Sequence, residues 1–152
     1  MQAHPPADAA ALLNVRRILV PCDGSQIAFA ALALACDVAG RNQGEVFVCH
    51  VIVVKRALPI DDPMVAASQR GNAILARAEE IGKSLGQKVE TELLQARDAG
   101  TSIVDEAENL QVDAIFLGLE LKERIGEPTV GAKIEHLLLQ ARCQVWIFRD
   151  TL

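Results

Sequence analysis

The chain has 152 residues, 51% of them apolar, and a net charge of −5 with 15 scattered lysines and arginines. That length suits one domain of roughly 100–150 residues with one sizeable core and leaves no room for a second. Without a basic stripe to neutralise phosphates, and with no tyrosine, four phenylalanines and one tryptophan to stack on bases, a nucleic-acid reader is not expected.

Residues 1 to about 14 are rich in Ala and Pro and read as a mobile lead-in, with the domain over 15–152. Arg17-Ile-Leu-Val-Pro21 is a short apolar run stopped by Pro21 and the turn residues Asp23-Gly24-Ser25, which predicts a strand entering a loop. Ser25 is placed to cap a helix from Gln26 to about Gly40 that is apolar almost all round, as for a helix buried on more than one side. Glu45 to Ile52 is a near-continuous apolar strand of the internal parallel kind. A loop with Pro59 and Pro63 leads to a helix over roughly Pro63–Leu85, with Ile74, Leu75, Ala78, Ile81 and Leu85 at helical spacing.

Val89–Leu94 alternates at first, the pattern of a strand near a sheet edge. Thr101 or Ser102 is expected to open a helix through Leu110. Val112–Leu117 reads as a buried strand, 119–131 as a loop, Ala132–Ala141 as a short helix and Cys143–Phe148 as the last strand. The order βαβαβαβαβ calls for an α/β fold, a doubly wound parallel sheet with helices on both faces and right-handed crossovers. In such sheets a ligand binds outside the carboxyl ends of the strands, where strand order reverses. That rule points to a crevice between Pro21–Ser25 and the segment after Gly118.

Cys22, Cys36, Cys49 and Cys143 stand far apart with no CxxC pair, so they are expected to be small core hydrophobes in a reducing compartment. The longest uncharged run, Gly24 to Cys36, falls short of the ~20 residues a spanning helix needs. The start, Met1-Gln-Ala-His-Pro-Pro, lacks the form of a secretory signal. A cytoplasmic location without membrane insertion is expected.

Three stretches resemble the universal stress protein family over roughly residues 16–149. Ile18-Leu-Val-Pro-Cys-Asp-Gly-Ser25 is similar to the family's opening ILVPxDGS, and the second strand closes, as in the family, on His50-Val51. Val112-Asp-Ala-Ile-Phe-Leu-Gly118, a loop, Gly131 and Ala141-Arg-Cys-Gln-Val-Trp146 follow the family's ADLIVMG, glycine-rich loop and APCPVLVV. The resemblance implies five strands in the order 3-2-1-4-5 and homodimers, here through Val145–Phe148. In nucleotide-binding members it also implies an ATP or AMP site, with Mg²⁺ as a companion ion. On this chain those positions are Pro21, Asp23 and Val51 on one side, and Gly118, Gly131 and Ala132 on the other.

In nucleotide-binding members the phosphate loop reads G-x2-G-x9-G-[ST]. Its glycines let backbone N–H groups approach phosphates, and its end opens a helix whose N-terminus favours anions. This chain keeps the outer glycines, Gly118 and Gly131, but has Leu121 for the inner glycine and Ala132 for the hydroxyl. A lost hydrogen bond to a charged group is worth about 1.5–3 kcal/mol, so a degraded site is expected. Gly126 keeps open a differently folded loop that still reaches an anion. Arg97, where many relatives have glycine, either supplies a cation to the crevice or lies along the surface.

Asp23 reads both as a nucleoside contact and as a builder of the Asp-Gly-Ser turn. Val51 reads as a backbone partner for an adenine edge or as an ordinary strand residue. His50 is expected to be a satisfied core histidine and Cys22 an inert thiol, because no nucleophile–base pairing is legible. Glu79-Glu80 and Glu90/Glu92 read as solvated faces and Asp61-Asp62 as a turn. The resulting expectation is a dimeric regulatory adaptor in a stress response, not an enzyme, with weak or absent ATP binding. The alternatives are a genuine ATP/AMP-binding switch and an accessory domain of a membrane transporter.

Overall fold

The computed structural model describes position 9 and residues 13–120, 122–124, 127–129 and 132–149; of 122–124, 127–129 and 132 it describes the backbone. The elements are β1 (Arg17–Pro21), α1 (Gln26–Arg41), β2 (Glu45–Val53), α2 (Val65–Ser84), β3 (Val89–Ala96), α3 (Ala99–Asn109), β4 (Ala114–Leu119), β5 (Lys122–Arg124), β6 (Glu127–Thr129), α4 (Ala132–Gln140) and β7 (Gln144–Arg149).

Five strands form one parallel sheet in the order β3-β2-β1-β4-β7, the order 3-2-1-4-5 among its own strands. Strand alternation divides the core in two. Ile18, Val20, Val46 and Val48 pack against Ala28, Leu32, Ala35 and Ala39 of α1 and Leu75 and Ala78 of α2. Leu19, Phe47 and Cys49 face the other way, against Ile103, Val104 and Ala107 of α3 and Ile134 and Leu137 of α4. Successive side chains point to opposite faces, so both faces of β1 and β2 must be apolar. That is why those strands carry unbroken apolar runs.

Several expected boundaries move, each for a local reason. Helix α3 begins at Ala99 rather than at Thr101 or Ser102, because Asp98 is the N-cap and takes both the Thr101 amide (2.8 Å) and hydroxyl (2.7 Å). Strand β4 begins at Ala114 rather than Val112: the Asp113 carboxylate accepts the amides of Arg16 and Arg17 at 3.0 and 2.9 Å, ending the turn there. Helix α2 starts at Val65, after Met64 with φ 44°, instead of near Pro63. Strand β3 runs two residues past Leu94 to Ala96 and is the sheet edge its alternation predicts. Helix α1 buries one broad stripe, while Ala30 and Leu34 on its outer side stay exposed. The stretch expected as plain loop after Gly118 contains a short antiparallel hairpin, β5–β6.

Candidate functional site

The chain runs from β1 through β2 to β3 on one side of the sheet, then crosses to β4 and β7 on the other. The reversal therefore falls between β1 and β4, and their carboxyl ends are where the crevice should form. Pro21 ends β1 and is buried; Cys22 continues it through its amide to the Cys49 carbonyl at 2.8 Å. Asp23 follows, exposed, with its Oδ1 accepting the Ser25 amide at 2.9 Å. Gly24 has φ +92°, a conformation that favours glycine. The Ser25 Oγ accepts the Ala28 amide at 3.3 Å and caps α1, as its position suggested.

Partial burial alone would raise the Asp23 carboxyl. The Ser25 hydroxyl and amide and the charge of Lys133 outweigh it and hold the group below its ordinary value. Asp23 is thus an ionised carboxylate just past the carboxyl end of β1, and its turn-building role is realised. Lys133, half-buried in the first turn of α4, is close enough to act on the charge of Asp23, Cys22 and Cys49. Among the described residues its ammonium makes no hydrogen bond or ion pair. Sequence reasoning missed it. The available signal was a cation in the first turn of a helix, where the helix dipole disfavours positive charge.

Gly118 sits at the end of β4 against the first turn of α1. A Cβ there would meet the Ile27 carbonyl carbon and oxygen at 2.5 Å and the Ala28 amide at 2.7 Å. Its small size is required by strand–helix packing, independently of any ligand. Leu121, Gly126 and Gly131 lie outside the described residues. Ala132 is the first residue of α4, and its side chain lies outside them too. Strands β5 and β6 pair Lys122 with Thr129, Glu123 with Pro128 and Arg124 with Glu127.

Val51 is half-buried and paired with Leu94 of β3. His50 is satisfied: its Nδ1 lies 2.7 Å from the Cys22 carbonyl, which can only accept, so Nδ1–H donates. Burial, the Asp23 charge second, pushes the Cys22 thiol up to about 12, with Lys133 opposing weakly. Burial raises Cys49 as well, and takes Cys36 to about 11. Neither Cys22 nor Cys49 carries the character of a nucleophile. Arg97 lies exposed at the surface, one of its two expected roles, and there it donates to the carbonyls of Val54 (3.4 Å) and Lys55 (2.6 Å). Asp62 builds a turn, accepting the Met64 amide at 3.0 Å, and Glu79 accepts the Thr91 hydroxyl at 2.8 Å. Among the described residues no group of His, Cys, Asp and Glu could hold a metal ion, and no helix is long and apolar enough to cross a membrane.

A doubly wound parallel sheet with an acidic turn at its switch point and a helix N-terminus nearby defines an α/β domain. The model of the Universal stress protein family matches residues 14–149, and the chain belongs to that family. It is 26% identical over 140 residues to Universal stress protein MJ0531 of Methanocaldococcus jannaschii, covering 88% of this chain and 82% of that one. Among solved structures it is similar to a universal stress protein from Archaeoglobus fulgidus (TM-score 0.74, 22% identity, 87% of this chain and 97% of the other). It is also similar to a universal stress protein of that organism solved in complex with dAMP (TM-score 0.67, 24% identity, 87% and 96%).

Proposed function

We propose that this protein is a dimeric regulatory adaptor of the universal stress protein type, without catalytic activity, in which ATP binding is weak or absent. The observation that supports the reading is the β5–β6 hairpin. A phosphate loop works by leaving backbone N–H groups free to face the anion. Antiparallel pairing turns such groups toward the partner strand instead. Leu121 and Ala132, in place of the inner glycine and the hydroxyl, act in the same direction.

Assembly would use β7. That strand pairs with β4 on one side only, and Val145, Trp146, Ile147 and Phe148 are all half-exposed. An unpaired apolar edge is an association hazard that two-fold pairing removes.

The test is a melting curve with and without millimolar ATP and Mg²⁺. A ligand present at 100 times its dissociation constant stabilises by about 2.7 kcal/mol, several degrees for a chain of this size. An unchanged midpoint is the expected result; a shift of several degrees overturns the reading. The second reading, occupancy by an adenine nucleotide, rests on the ionised Asp23 lying within range of the Lys133 charge and on the relative solved with dAMP. In that case Pro21, Asp23, Val51, Gly118, Gly131 and Ala132 would surround the ligand, and ATP or AMP would raise the midpoint.

A further inference from the structure

The segment joining β2 to α2, residues 54–64, follows the carboxyl end of β2, and connecting loops are in general the more mobile parts of a fold. Here it is tied at two separate points by side chains from the end of β3. The Gln95 Nε2 donates to the carbonyls of Ile60 (3.1 Å) and Asp62 (2.6 Å). The Arg97 Nη1 donates to those of Lys55 (2.6 Å) and, more weakly, Val54 (3.4 Å). The Val54 amide adds a backbone bond to the Ala96 carbonyl at 2.8 Å. Arg97 has no carboxylate within ion-pair distance among the described residues, so the strap carbonyls are its partners there.

We propose that Gln95 and Arg97 are positioning residues that latch this strap as a fixed rim of the crevice. Access from the β2 side then does not depend on strap motion, and Leu58 (39% exposed) and Ile60 (46% exposed) are held at the surface in set positions. The two ties reach opposite ends of the strap, and one bond at each end is short, at 2.6 Å. A guanidinium hydrogen bond is stronger than one between neutral groups, which assigns the larger share to Arg97. The latch is independent of nucleotide binding.

The experiment is amide hydrogen exchange on the full chain and on Arg97→Met and Gln95→Met, which keep most of each side chain's stem and remove its donors. Exchange within 55–62 is expected to rise about tenfold in Arg97→Met and by less in Gln95→Met, with α1 and β4 unchanged. Arg97→Lys, which retains one cationic donor group, should recover part of the protection. Unchanged exchange in the strap of Arg97→Met overturns the latch. So does a rise spread evenly over the whole fold, since that reports general destabilisation.

Discussion

The end of β4 touches the first turn of α1 at Gly118 and Ile27, where an added Cβ would lie 2.5 Å from the Ile27 carbonyl group. Two elements at the switch point of the sheet are therefore packed directly on one another. Gly118→Ala is expected to destabilise the fold by about 1–3 kcal/mol, the usual cost of overpacking. Urea unfolding of the two forms measures it; equal midpoints would mean that α1 yields without cost.

Asp98 caps α3, and its bonds from the Thr101 amide and hydroxyl lower its carboxyl below the ordinary value of 3.8. The sign follows from that direction. A carboxyl depressed in the folded state adds stability that is fully present above the unfolded value and is lost as pH falls through the folded one. Asp98→Ala should cost about 1 kcal/mol at neutral pH. Asp98→Asn should keep most of the cap at neutral pH and show a shallower loss of stability below pH 4. Chemical denaturation across pH 2–7, with each variant set against the parent, separates the two effects.

The Cys22 thiol, 3% exposed and pushed up to about 12 by burial, should stay protonated and resist alkylation at pH 8 in the folded protein. Cys143 is only half-buried and should label first. Peptide mapping after a timed pulse of iodoacetamide gives the order. Rapid labelling of Cys22 would mean that the turn after β1 opens readily.

For assembly, Ile147→Glu places a charge on the half-exposed edge strand and is expected to convert a dimer to a monomer. Native mass spectrometry at micromolar concentration reads both forms and any retained nucleotide together. A parent protein already monomeric there would remove β7 as the interface.

The βα alternation and the two-faced core were legible because chemistry repeats at short range, whereas the strand order came with the family resemblance. Apolar runs such as Ile18–Val20 and Val46–Val48, broken by Pro21 or by Gly and Asn, carry the period of a buried strand, and alternation marked β3 as an edge. The helix starts were less legible, because Asp98, Thr101 and Ser102 are all competent caps and only the competing bonds of the folded chain choose among them.

By itself the sequence determined the family, the βα alternation and the Asp23-Gly24-Ser25 turn, all set by neighbours along the chain. Only the tertiary structure decided what individual residues touch. It brought Lys133 within range of Asp23, gave Arg97 the Val54 and Lys55 carbonyls, and set Gly118 against Ile27. These are meetings between residues tens of positions apart, and parallel strands joined by crossover helices produce them without leaving a local pattern to read.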